Sequence, residues 1–280
     1  VEYVRPRIFN YSTSYVNPYV SMEYYAYHTV HELFLYGDLT LQQWIDIFNR
    51  IRFVCDDFKR YTVQDANIRP ALEEMYLTKT LQRFEKMKKD ERFITFFESP
   101  IVVNGERYLP LNEIIIALEK AIPEMLYDVD TFNIIHGDLC FANIMVDSNF
   151  SFIKVIDPRG KFGTYDIYGD FRYELAKLFH SVDGKYDFII KDLFDLDYNS
   201  ETACINYRIQ NRKRDFNLYK VFLDTFSAEV GGDLKKIELI EALLFLSMIP
   251  LHGESIRHQM AMLGTGLEIL NRVIDIKESV

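Results

Sequence analysis

The sequence predicts an α+β fold: a large, mainly helical C-terminal part, preceded by a short N-terminal β-hairpin. Three observations carry this. Residues 1–30 are rich in Tyr and Val and are divided by Asn17-Pro18, the composition and turn of two strands. Residues 41–58, 111–126 and 256–274 repeat apolar side chains at three and four, the period of a helix with one buried face. Between them, short apolar runs at 132–135, 144–146 and 152–156 are bounded by polar turns, as strands are.

In chain order, the first hairpin has strands around Arg7–Ser12 and Tyr19–Tyr25. Two strands alone are marginal in water, so they must pack on something else. Asp38 or Thr40 is placed to cap the next helix, whose stripe is Leu41, Trp44, Ile45, Phe48, Ile51, Cys55 and Phe58. Residues 71–98 continue helical with a charged cluster from Lys86 to Arg92, read as a solvated face, and end at Ser99-Pro100. Asn104-Gly105 between Ile101-Val-Val and Arg107-Tyr-Leu marks a small hairpin or turn. A helix over 111–126 follows, with Ile115, Leu118, Ile122 and Leu126 on one stripe. Beyond the central strands, a glycine-containing loop (160–170) leads into a helix from Phe171 to His180. Asp192, Asp195 and Asp197 read as an acidic loop or short helix, residues 206–214 as a polar, basic connection, and the remainder as helical throughout.

Bulk properties narrow the function. The 280 residues suit one large domain or two unequal ones; 49% are hydrophobic and 26% charged, ordinary for a globular protein. A net charge of −10 repels phosphate backbones, so nucleic acid is not an expected partner. Cys55, Cys140 and Cys204 form neither a zinc spacing nor a disulfide framework, which points to a reducing cytoplasm. No apolar run approaches the ~18 residues of a membrane span, and no signal segment opens the chain.

Chemistry concentrates between Ile134 and Gly160. The spacing His136-x-Asp138-x-x-x-x-Asn143 matches the catalytic-loop pattern of protein kinases, and Asp157 follows after one more hairpin. Such chemistry needs a carboxylate at the attacking hydroxyl, here Asp138. It also needs an amide oxygen and a second carboxylate sharing a magnesium ion, here Asn143 and Asp157. His136 reads as a structural residue of the loop. A metal phosphohydrolase using His136, Asp138 and Asp157 is a weaker alternative, because histidines are scarce nearby.

These residues resemble a known group. His136-Gly137-Asp138-Leu139, Asn143 and Ile156-Asp157-Pro158 are similar to the aminoglycoside phosphotransferase and choline kinase families, relatives of protein kinases. Tyr168-Gly169-Asp170 followed by Tyr173-Glu-Leu-Ala-Lys looks like the family's entry into its next helix. The resemblance spans roughly residues 20–270. It implies a protein-kinase-like fold, with 1–36 as a partial N-terminal lobe and hinge and 37–280 as the helical lobe. It also implies ATP and Mg²⁺ as cofactors and transfer to the hydroxyl of a small molecule: a sugar, an amino alcohol or a surface-polysaccharide intermediate. By the same resemblance, the hinge at Met22, Glu23, Tyr24 and Tyr25 would bind the adenine edge, and helices inserted at 65–98 and 185–230 would shape the acceptor pocket. The resemblance breaks in one place: only Gly37 and Gly105 precede Gly137, and residues 1–40 contain no lysine, so the glycine-rich loop and strand lysine are missing. The chain opens on Val1, which favours a piece of a longer polypeptide. The competing expectation is a catalytically inactive, kinase-like binding module.

Overall fold

The computed structural model describes residues 4–210 and 213–278. Strands β1 (Ile8–Ser12) and β2 (Tyr19–Met22) form the N-terminal hairpin, with Ser12 opposite Tyr19. Both are largely exposed. The short β3 (His28–Thr29) then runs into helix α1 (Val30–Tyr36), where Thr29 and Glu32 satisfy each other's backbone N–H in a capping box. Of the two cap candidates for α2 (Leu41–Lys59), Thr40 does the work, again as a capping box, with Gln43. Trp44, Phe48, Ile51, Cys55 and Phe58 are buried as the stripe requires; Leu41 is not.

Strand β4 (Thr62–Val63) opens a long excursion before the central strands. It contains α3 (Ile68–Leu72), a π-helical segment (Glu73–Thr78), α4 (Lys79–Met87), α5 (Ile94–Glu98), the hairpin β5 (Ile101–Val103) and β6 (Glu106–Tyr108), and α6 (Leu111–Leu126). The continuous helix expected over 71–98 is therefore segmented. β7 (Phe132–Ile134) returns to pair with β4, and β8 (Ile144–Val146) pairs with both β3 and β9 (Ile153–Val155). β10 (Tyr168–Gly169) adds to the other edge of β7 and feeds α7 (Phe171–Val182).

The main departure from expectation lies at 192–214. After α8 (Tyr186–Ile189), residues read as an acidic loop and a basic connection form a hairpin of two six-residue strands, β11 (Phe194–Asn199) and β12 (Cys204–Ile209). Nor is the segment 185–230 an insertion of helices alone. The cause is a period of two: Phe194 and Leu196 on β11, and Ile205, Tyr207 and Ile209 on β12, are covered, while the charged residues between them face out. Asp195 pairs across the register with Arg208 at 2.8 Å, so the charges that suggested a loop stabilise the outer face of a sheet. β12 also pairs in parallel with β5, tying the hairpin to the excursion. Residues 211 and 212 of the expected connection lie outside the described residues, as does Val1.

The C-terminal part is helical: α9 (Leu218–Thr225), α10 (Ser227–Val230), α11 (Leu234–Met248) and α12 (Ile256–Val273). Short 3-10 turns of helix at Gly231–Asp233 and Ile249–Leu251 link these, and the non-helical break before α12 is at 252–255. α11 is buried along most of its length, and α7 along nearly all of its own. The α+β arrangement expected, helical C-terminal part and N-terminal hairpin, is the one the chain has. No helix among the described residues is long and apolar enough to cross a membrane.

Candidate active site

Helix α7 positions the site. Asp170 caps it, and the same carboxylate accepts from the Arg172 guanidinium and, at 2.9 Å, from the Tyr76 hydroxyl. Arg172 also donates to Asp128 and to the Leu126 carbonyl, so the start of the helix is bolted to the end of α6. One turn on, Glu174 and Lys177 sit three apart, hence on one face. Both are buried.

Glu174 accepts the backbone N–H of His136 at 2.9 Å and of Gly137 at 2.7 Å. Complete burial pushes its carboxyl up to about 7, against the pull of these two donors. Gly137 has φ +77, and a Cβ there would come within 2.9 Å of the Arg159 Cβ, so this turn admits little but glycine. The His136 ring is a clamp. Its Nε2 meets the Ile156 carbonyl at 2.9 Å, and its Nδ1 accepts the Asp138 N–H at 3.3 Å. These roles assign the neutral Nε2–H tautomer. Burial lowers the pKa of His136, outweighing the opposing influence of Asp138 and Asp157.

Asp138 leaves this turn with its side chain 36% exposed. Its Oδ1 lies 2.7 Å from the Lys177 ammonium, and its Oδ2 accepts from Asn143 Nδ2 at 3.1 Å. Burial works against the Lys177 charge, yet Tyr173 and Asp138 raise its pKa above that of ordinary lysine.

Three bonds bring the second hairpin onto this turn. Ile156 N–H donates to the Asn143 carbonyl at 3.0 Å, Arg159 N–H to the His136 carbonyl at 2.9 Å, and His136 holds the Ile156 carbonyl as above. Asp157, between these anchors, is exposed and left-handed at φ +57. A residue before proline is pushed towards extended backbone, so this conformation ahead of Pro158 is strained and held by its surroundings. The donor set fits magnesium. With Asn143 Nδ2 committed to Asp138, its amide oxygen and the Asp157 carboxylate are the hard oxygens that such an ion takes. Thus Asp138 and Asn143 meet side chain to side chain, and backbone bonds from Ile156 and Arg159 set the segment bearing Asp157 beside them.

The four hinge residues lie elsewhere. Met22 and Tyr24 are exposed, while Glu23 exchanges backbone and side-chain bonds with Arg7. Tyr25 packs on Tyr27, its hydroxyl raised to about 12 by its bond to Glu23, and the Lys154 ammonium stands 4.9 Å from its ring centre. Lys154 is three residues before Asp157 on the strand that leads to it. An apolar cleft of ≈ 520 Å³ opens here, between Tyr25, Tyr27, Phe53 and Ile153.

Spacing did not reveal Glu174, Lys177 or the cations that gather in one cleft, Lys79, Arg83 and Arg159. A signal for the first two was available: Glu and Lys three apart in Glu-Leu-Ala-Lys-Leu-Phe, a run too apolar for a solvated face.

No family model matches the chain. No curated protein matches it in sequence. Among solved structures, it is similar to a choline kinase from Cryptosporidium parvum Iowa II, over 96% of this chain and 73% of that one, at 11% identity and a TM-score of 0.44. A likeness at that level carries nothing about residues or chemistry.

Proposed function

We propose that the protein is a small-molecule kinase that transfers the γ-phosphoryl group of ATP to a hydroxyl. The observation that supports this is the Asp138–Asn143 contact on a clamped turn, with Asp157 in strained backbone on the segment that Ile156 and Arg159 tie to that turn. Asp138 orients the acceptor hydroxyl and takes its proton. Lys177 and Asn143 fix the direction of that carboxylate, and Glu174 and His136 fix the turn that bears it. Magnesium, held by Asn143 and Asp157, supplies neutralisation of the triphosphate charge. The chain's own contribution is mainly positioning and preorganised charge. The hinge at Met22–Tyr25 takes the adenine. Three residues of strand, ~10 Å, separate the Tyr25 contact from Asp157, in keeping with a base at one end and phosphates at the other. The acceptor is a hydroxylated small molecule.

Calorimetry on the full-length protein tests this. MgATP should bind, and Asp157→Asn should weaken it by about tenfold or more while leaving the melting temperature in place, because Asn tolerates left-handed backbone. Equal binding by wild type and variant would remove the metal assignment. One observation favours a second reading: both Asp138 oxygens are already engaged, by Lys177 and Asn143, as suits a non-catalytic module that only binds nucleotide. MgATP binding with no turnover towards any acceptor, water included, would select it.

A further inference from the structure

A cleft of ≈ 280 Å³ opens between the start of α4 and the loop that follows Pro158, with Lys79 on its wall inside the reach of the Asp138 charge. Its charged lining is Lys79, Arg83, Arg159 and Lys161, against a single acid, Glu74. In a chain with net charge −10, four cations around one small cleft are a local inversion of sign. Each wall has a structural cause. The π-helical segment Glu73–Thr78 ends at Lys79 and turns it towards Arg159 and Asp138, whose charges reach its ammonium; π-helical insertions often serve such re-aiming. Arg159 lies over Gly137, its backbone tied to His136 and its guanidinium to the Tyr173 hydroxyl at 2.6 Å.

The two walls cannot slide apart easily. Gly163, at φ +57, sits so close to α3 that a Cβ would come within 2.6 Å of the Ala71 Cβ. Tyr165 bonds Asp65, and Phe162 and Tyr173 pack on Tyr76. The cleft is thus built rather than adaptable.

Lys79 is the telling residue. It is half-buried, and among the described residues its ammonium has neither hydrogen bond nor ion pair. Burial lowers its pKa to about 7, with Arg159, Lys177 and Arg83 adding repulsion. A fold gains nothing from holding an unpaired ammonium among other cations; an anion seated there would relieve it.

We propose that this cleft is the acceptor subsite and that the acceptor is an alcohol already carrying a phosphate group, seated between Lys79, Arg83 and Arg159 with its hydroxyl at Asp138. This rests on the kinase reading for the role of Asp138, whereas the anion site itself does not. A cationic acceptor such as an amino alcohol is disfavoured by the same charges.

The test is calorimetry of the full-length protein with inorganic phosphate, without and with Mg²⁺, alongside MgATP. Phosphate should bind without Mg²⁺, about tenfold more weakly to the Lys79→Gln/Arg83→Gln double variant. It should bind some threefold more tightly to Glu74→Gln, a gain that misfolding cannot produce. Phosphate affinity equal in the double variant and wild type, or no binding to wild type, overturns the proposal. So does phosphate binding that requires Mg²⁺ and disappears in Asp157→Asn, since the cations would then serve the nucleotide. Phosphate binding as expected, in a protein that never binds MgATP, would retain the anion site and remove the kinase reading.

Discussion

Lys177→Met separates the catalytic account from a purely structural one. The ammonium lies 2.7 Å from Asp138 Oδ1 and is buried, whereas the Asp138 side chain is 36% exposed. A hydrogen bond between charged groups contributes ~1.5–3 kcal/mol when dry, but water reaching Asp138 reduces this to about 1 kcal/mol. Methionine fills much the same volume and removes a buried cation, which offsets most of that loss. Stability should therefore change by no more than ~1 kcal/mol, or about 3 °C in Tm for a chain of this size. Turnover should respond differently. Without Lys177, one Asp138 oxygen loses its anchor, and misplacement of a reacting group by about 1 Å costs ~10²-fold, roughly 2.7 kcal/mol. The assay is ADP release from MgATP with water as acceptor, read as kcat and KM separately. The expected result is kcat down ~10²-fold, KM for ATP within about twofold, and Tm nearly unchanged. A kcat equal to wild type, or a fall in Tm of ~10 °C, would refute the assignment of Lys177 as a positioning residue.

Two further perturbations follow from the packing. Gly163→Ala combines a left-handed backbone with a clash against Ala71, and should cost ~2–4 kcal/mol, seen as a Tm lower by about 5–10 °C; a shift under ~2 °C would contradict the close approach. Lys79→Met should stabilise in a pH-dependent way. The folded-state pKa of Lys79, about 7, lies below its ordinary 10.5, so the cost of its charge is fully present below pH 7 and fades as pH rises towards 10.5. Urea unfolding should find the variant more stable by ~1–3 kcal/mol at pH 6, with the gap closing by about pH 10; a gap that widens with pH would reverse the sign.

Much of this was legible in the sequence, and the parts that were not have a common cause. The stripe of α2 and the triplets around Asn104-Gly105 are local patterns, and each yielded its element. The spacing of His136, Asp138 and Asn143 named residues that do meet, because a tight turn and one hairpin fix their separation regardless of the rest. β11 and β12 were missed because three aspartates outweighed a weak alternation that only sheet pairing with β5 makes decisive. The anion cleft was invisible for a stronger reason. Lys79 and Arg159 are eighty residues apart, and what joins them is a π-helical segment and a glycine contact that no periodicity encodes. Glu174 and Lys177 fall between these cases, charged residues in an apolar run whose partners lie some forty residues upstream.

The central claim is that Asp138 handles the proton of an acceptor hydroxyl, and Asp138→Asn tests it most directly. The amide keeps the size of the side chain but cannot take a proton, and its single oxygen can accept from Asn143 or from Lys177, not from both. In the full-length protein with MgATP, the account predicts turnover reduced by about 10³-fold or more with MgATP affinity close to wild type, and a lower Tm because Lys177 loses its counter-ion. Near-normal turnover by the variant would contradict it.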